Sequence, residues 1–422
     1  MRLGTATASL AMVGALSVGV ATPASADSTS LASWSPDLAA GEAAGVTLDG
    51  GTARLAAAGA YLARLEEGRP VGAAPVPTGL LTLLPQQLDI TTDRIVATVL
   101  GDVPVGSAAV VDIRGRRSTG GWTEWIPAGP AHSAAGTGSM VAELPEPTSE
   151  VQGRLVLTGP QGGGPAVRGL TLTASPATKR LSEGGPGQAA LSSRVFATRE
   201  GLVGGTTANG HVITERDHFV ALPSRRGLSP RDSSDYSVKV CAPNNGRCAF
   251  APVWDVGPWN TRDDYWNPAP TRQEWHDLPQ GLPEAQAAYK NDYNGGKDQF
   301  DRKVLNPAGI DLADGLFWDA LGLNDNAWVT VDYLWTGSER LSTVVGDLPV
   351  LAAPNAGAEV VGIAVDRAAV PVQCVLGAGA ARWVRIGVDQ YLAAAAVPGV
   401  GSVMSCPTGV GGAPENTGSS AG

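Results

Sequence analysis

The sequence predicts a mainly β chain of three successive units, and three observations carry that prediction. From Gly79 to Ala174, short apolar and β-branched segments (Arg94–Leu100, Ala108–Arg114, Gln152–Thr158, Val167–Thr173) are divided by Gly, Pro and Asp turns. Trp328–Trp335 (WVTVDYLW) gives the cleanest apolar/polar alternation in the chain. VWDVGPW (Val253–Trp259) and GIDLADGLFWDALGL (Gly309–Leu323) are strand-like apolar runs, each interrupted by a carboxylate, Asp255 and Asp311. A buried charge is costly unless paired or neutralised, so both positions ask for a reason.

At 422 residues the chain is too long for one ordinary domain. It has 40 acidic and 30 basic residues, a formal charge of −10, and its densest basic cluster is only Arg114–Arg117. Nucleic acid and anionic membrane surfaces are therefore poor partners. Tryptophan (11) outnumbers tyrosine (7) and phenylalanine (5), which suits stacking on sugar faces and equally suits large core fillers.

The elements follow in order. Residues 1–26 are expected to be a secretory signal: Arg2, then an apolar Leu10–Val20, then Ala24-Ser25-Ala26 as the cleavage site. No cysteine follows that site and no other long apolar run appears, so a secreted protein with neither lipid anchor nor membrane span is expected. Residues 27–174 are expected to form a β-sandwich, in which Trp122 and Trp125, three apart, face opposite ways; the arrangement resembles the jelly-roll accessory modules of secreted proteins. Its His132 lies in a Gly/Ala/Ser loop and reads as a solvated residue. Residues 175–191 are a Pro- and Gly-rich linker. A second β unit follows over 192–337, interrupted by Asn260–Ala308, 49 residues of mixed loop with a short helix near Pro283–Tyr289. A third covers 344–407, and 408–422 form a Gly/Ser-rich tail.

Four cysteines in an exported chain imply two disulfides. Cys241 and Cys248 flank the hairpin signal Asn244-Asn245-Gly246, which favours local pairing and leaves Cys374 with Cys406. Neither pair has a histidine or a further cysteine nearby, so no metal site is expected. No cofactor is expected either: there is no G-K-[ST] phosphate loop and no G-x-S-x-G serine elbow. Sparse helical periodicity gives no oligomerisation face, and a monomer is the default.

Four motifs in order then carry a resemblance. TTANG (Thr206–Gly210), DHFVALP (Asp217–Pro223), VWDVGPW and GIDLADGL resemble the T-A-S-G turn, "AxxP" strand, "D-x-G" strand end and "I-D-L" strand of rare lipoprotein A, the related lytic transglycosylases and the expansins. The resemblance implies a six-stranded double-psi β-barrel whose strands line a polysaccharide groove. It implies Asp311 as the general acid and Asp255 as the acid that raises its pKa and steadies positive charge at the anomeric carbon. It also places Thr207 and Asn209 near substrate. His218 occupies the strand where rare lipoprotein A often has a histidine, with an offset to Pro223 that differs by one. Expansins keep the aspartate and make no detectable cut, so the motifs specify the groove more strongly than the reaction. Over 344–407, Pro354, Val361-Gly362, Val372–Cys374, Trp383–Ile386 and Tyr391-Leu392 resemble a bacterial SH3-type module, although its ligand loop reads LAAPN.

Each candidate also has a plain reading. Asp311 and Asp255 suit Asx-type turns, Asp314 and Asp319 suit caps, and Asn209 and Gly210 suit turn formation. His218 suits a core or rim position, Asp217 either orients it or caps a turn, and His211 suits solvent. Trp254, Trp318 and Trp328 sit in apolar patterns and read as core. Trp259, Tyr265 and Trp266 lie among polar residues, so at least one is expected to stack on a sugar ring. The sequence thus points to a secreted cell-envelope protein that binds peptidoglycan or a related β-linked glycan. Cleavage of that glycan by a lytic transglycosylase mechanism, with Asp311 as general acid, belongs to the same reading; the alternatives are expansin-like loosening without cleavage and an interaction or inhibitor scaffold.

Overall fold

The computed structural model describes residues 1, 31–56, 77–130, 139–160, 163–179 and 188–407. The expected signal apart from Met1, the loop around His132, residues 180–187 of the expected linker and the tail 408–422 lie outside the described residues. The chain is mainly β, with 45% strand and 10% helix.

The N-terminal unit is built on two long strands, Gln86–Asp102 and Ser139–Thr158. Their mutual register shifts on either side of Thr148, whose hydroxyl bonds to Arg116 and Glu150 main chain. From Gln152 onward the second strand runs between Thr78–Thr82 and Ala108–Gly115, as the extra residue of a bulge redirects it. Leu155 and Leu157 join the unit's own core with Leu81, Val111 and Ile113. Val156 instead packs against Ala208, Leu228 and Val256 of the next unit. The sheet is therefore buried on both faces.

Polar residues on the second face are paired across the strands. Arg154 lies opposite Asp112, and Arg114 opposite Gln152. Arg154 Nη2 donates to Asp112 Oδ2 at 2.8 Å, and Arg225 Nε reaches the same oxygen at 3.0 Å from the second unit. Asp112 is fully buried; burial pushes its carboxyl up, but Arg225 and Arg154 outweigh that and hold it below the usual carboxylate range. Trp122 and Trp125 were expected to face opposite ways. Both are buried against this same junction, with Trp125 between the Arg114 and Arg154 guanidinium groups and its Nε1 donating to Leu228 O.

The second unit is a closed six-stranded barrel: β1 (Leu191–Arg199), β2 (Val220–Leu222), β3 (Ser237–Cys241), β4 (Cys248–Val256), β5 (Ala308–Leu312) and β6 (Ala327–Tyr333). The ring runs β2–β5–β1–β6–β3–β4 and back to β2, with β1–β5 and β2–β4 parallel and the other pairs antiparallel. Alternate residues fill it: Val195, Ala197, Val220, Leu222, Ile310, Leu312, Val329 and Val331. The expected hairpin is present, with Cys241 and Cys248 paired in register and disulfide-bonded; the second disulfide joins Cys374 and Cys406.

The C-terminal strands extend the barrel sheet. Val360–Ala364 pairs in parallel with Cys248–Phe250, and Val344, Val350, Ala364 and Val370 share the barrel's core. Gly362 permits this contact, because a Cβ there would fall 2.2 Å from the Cys248 carbonyl oxygen. Among the described residues no helix is long and apolar enough to cross a membrane.

Removing Asp112 leaves two facing guanidinium groups buried without their counter-ion. Asp112→Asn is expected to lower unfolding free energy by about 3–5 kcal/mol, measured by chemical denaturation. Asp102→Asn, which breaks an exposed pair with Arg168, is expected to leave the midpoint unchanged.

Candidate functional site

Strand register brings the two motif acids close together. Ala221 on β2 pairs with Asp255 on one side and Asp311 on the other, and Asp311 pairs in turn with Thr198 on β1. Two interstrand steps separate the acids' backbones, about 10 Å. Asp311 alternates with the core residues Ile310 and Leu312, so it belongs to the barrel's outer face, and it is half-buried there. Thr198 Oγ1 donates a hydrogen bond to its Oδ1. Its Oδ2 looks toward Gly257, where a Cβ would sit 3.7 Å away.

Asp255 has a different environment. A register shift at Trp254 breaks the alternation of β4 just before it. Its side chain is buried, and Oδ1 accepts from Ala208 N at 2.7 Å and from its own neighbour Val256 N at 2.8 Å. The acid thereby fastens the TTANG turn to the barrel. Thr207 and Asn209 are sealed in the same turn: Thr207 Oγ1 donates to Asn209 Oδ1, and Asn209 Nδ2 donates to Ser229 O. Ala44, Leu80 and Val156 of the N-terminal unit pack over Ala208. Gly210 has φ +91°, and a Cβ there would meet Ala44 Cβ at 3.0 Å. The expected substrate contacts at Thr207 and Asn209 are thus covered by the preceding unit.

Asp217 and His218 line a separate cavity of about 270 Å³ between barrel and C-terminal strands, together with His211, Trp254 and Asp347. Neither Asp255 nor Asp311 borders it. His211 Nε2 and Asp217 Oδ2 are 2.7 Å apart, so His211 is held rather than free in solvent. Burial pushes the Asp217 carboxyl up, but Thr214 hydroxyl and amide donors, with His211, bring it below its usual range. His218 Nδ1 lies 3.8 Å from Asp347 Oδ2. His218 therefore faces the C-terminal strands and not the motif acids.

The aromatic candidates are internal. Tyr265 and Trp266 are fully buried, and Trp259 is 5% exposed. Tyr265 donates to Gly309 O, receives Tyr333 OH, and so ties the insertion to β5 and β6. Trp266 Nε1 donates to Glu124 Oε1. Trp259 packs with Ala285, Ala288 and Val304, its Nε1 on Asn306. Polar neighbours misled because many of them are tied within the insertion or to Glu124 of the N-terminal unit rather than to solvent. Trp318, expected in the core, is instead 38% exposed, flanked by the Arg199 and Arg216 guanidinium groups. Trp254 and Trp328 are half-buried on the barrel's outside, not core. The polar flanks of DLADGLFWDA were the available signal for Trp318: it lies five residues into a turn bounded by acids.

Helix α1 (Glu284–Asn291) covers Ala308 at the start of β5. Its first residue joins a buried network. Glu284 N donates to Asp263 Oδ2, Arg272 pairs with Asp263 Oδ1, and Asn260 Nδ2 donates to Glu284 Oε2. Burial pushes Asp263 up to about 6 against the pull of Arg272. Burial, reinforced by Asp263 and Asp298, pushes Glu284 up to about 8, against the opposing Asn260 bond. No group of three or more His, Cys, Asp or Glu with metal-holding geometry occurs among the described residues.

What remains accessible from the motif set is Asp311 with Thr198 behind it. A carboxyl so placed can accept or donate a hydrogen bond to a ligand hydroxyl. Asp255 is held differently, its Oδ1 accepting from the main-chain amides of Ala208 and Val256.

Residues 191–332 match the family model described as a domain of unknown function (DUF8814). The match begins at the first residue of β1 and ends inside β6, so it spans the barrel with its insertion. No curated protein and no solved structure matches the chain.

Glu284 supplies a pH test. Its folded pKa is raised from 4.5, so the folded chain keeps a proton that the unfolded chain loses between about 4.5 and about 8. Its contribution is fully present below pH 4.5 and is lost as pH rises through 8. Glu284→Gln is expected to raise stability at pH 8 by on the order of 1–3 kcal/mol. The difference should close near pH 4, as read by denaturant midpoints across pH.

Proposed function

We propose that the chain is a secreted cell-envelope protein whose barrel binds peptidoglycan or a related β-linked glycan through the surface around Asp311, without cleaving it. One observation carries this reading: of the motif residues that could act together, Asp311 alone keeps partial access to solvent, while Asp255, Thr207 and Asn209 are locked into a covered turn. A hydroxyl-supported carboxylate with partial access to solvent suits recognition of sugar hydroxyls. The exposed face of Trp318, three residues beyond the end of the Asp311 loop at Gly315, offers an apolar contact nearby in sequence.

The closed six-strand ring with two parallel pairings supports the double-psi reading of the barrel. The small C-terminal strands support an SH3-type reading, and two disulfides fit an oxidising compartment outside the cell. Cleavage with Asp311 as general acid is the second reading, favoured by its strand-end position and its hydrogen bond from Thr198.

Co-sedimentation with purified peptidoglycan separates the two. Wild-type protein is expected to pellet with the polymer and release no soluble muropeptide, and Asp311→Ala to lose most of that binding with an unchanged melting temperature. Release by wild type that Asp311→Asn abolishes would establish the enzyme instead. Undiminished binding by Asp311→Ala would remove this surface from the function.

A further inference from the structure

The cavity of about 520 Å³ where the N-terminal unit meets the barrel lies outside the surface discussed above. Leu191, at one end of β1, lines it, whereas Thr198 marks the Asp311 surface seven residues along the same strand. At about 3.3 Å per residue the two are about 23 Å apart. Its wall includes residues of the 117–126 loop of the N-terminal unit, the 335–338 turn after β6 and the insertion at Asn267 and Thr271, with Glu146, Gln188 and Arg226 beside them.

Its ionic groups are already engaged. Arg117 donates to Glu146, to Trp335 O at 2.6 Å and to Gly337 O at 2.9 Å. Arg226 donates to Asp264 and Thr271 O, both at 2.6 Å. Glu124 accepts from Trp266, Trp335 and Asn267, and lies 3.4 Å from Arg226. Two lining arginines against two lining glutamates leave no net charge to attract an ion. The groups left over are neutral: the hydroxyls of Ser118, Thr119 and Thr271 and the side-chain amide of Gln188 make no hydrogen bond to another described residue. Ile126 and Leu191 add apolar surface to the same lining.

From this lining we propose that the cavity is a binding site for a neutral, hydroxyl-rich ligand of one or two sugar rings. The volume lies within the range of small-molecule sites, and junctions between domains are where such sites concentrate. Unpaired hydroxyls and apolar surface in one lining match the two faces of a pyranose, one edge polar and one face CH-rich. Ionic pairs closed within the protein hold the walls in place and offer an anionic or cationic ligand no counter-charge. The inference stands independently of the Asp311 surface.

The test is titration of the full chain with cellobiose and with N,N′-diacetylchitobiose, followed by calorimetry and by tryptophan fluorescence. Saturable binding of at least one is expected, weakened roughly ten-fold or more by Thr271→Trp and by Ser118→Trp, and unchanged by Asp311→Ala. Both added indoles replace exposed rim residues, so either variant suffices if the other fails to fold. No binding of either disaccharide overturns the proposal, as does tighter binding of glucuronate than of glucose. Loss of binding in Asp311→Ala with retention in both rim variants also overturns it, placing the disaccharide on the Asp311 surface.

Discussion

The junction between the N-terminal unit and the barrel is held by charges that neither unit satisfies alone. Asp112 is fully buried and shares its carboxylate between Arg154 of its own sheet and Arg225 of the barrel. Glu124 takes its donors wholly from the barrel side, from Trp266, Trp335 and Asn267, with Arg226 close by. A carboxylate moved out of water must recover its lost hydration from fixed partners. Here those partners exist only when the two units sit in one arrangement, so the pairing dictates the orientation of everything attached to it.

The state of the motif residues follows from that orientation. With the sheet seated on the barrel, Val156 and Leu80 cover Ala208, and the TTANG turn becomes internal. Asp255 then serves as an acceptor for main-chain amides. Asp311, one strand away from Ala221 in the other direction, escapes because it faces outward at a strand end, beside Gly257. The same docking creates the interunit cavity, since Leu191 and Trp335 would otherwise lie on an open barrel end. The insertion completes the enclosure with a network of its own, anchored through Tyr265 on β5 and β6.

Much of the fold was legible before any coordinates. The strands around Arg94–Leu100, Ala108–Arg114 and Trp328–Trp335 announced themselves by alternation, and Asn244-Asn245-Gly246 announced the Cys241–Cys248 hairpin. The short helix near Pro283–Tyr289 lies at Glu284–Asn291. The candidate site was legible only in part. Asp255 and Asp311 did converge on Ala221, yet the polar neighbours of Trp259, Tyr265 and Trp266 point to one of them on the surface, and all three are buried. Alternation cannot distinguish a polar face that meets water from one that meets another polar face. Asp112 and Arg114 in VVDIRGR look like solvated residues for the same reason.

The amino-acid order by itself determined where several strands run, where the chain turns and that Cys241 pairs with Cys248 across a hairpin, because those features depend on residues within a few positions of one another; Cys374 and Cys406, 32 apart, followed only as the remaining pair. Only the tertiary structure decided which acid is open and which is closed, that His218 turns to Asp347, and that Trp318 rather than Trp266 meets solvent. Exposure is set by what a distant part of the chain places on top of a residue. For Asp255 that covering comes from residues such as Leu80 and Val156, far away in sequence and brought there by the buried pairing of Asp112 with Arg225.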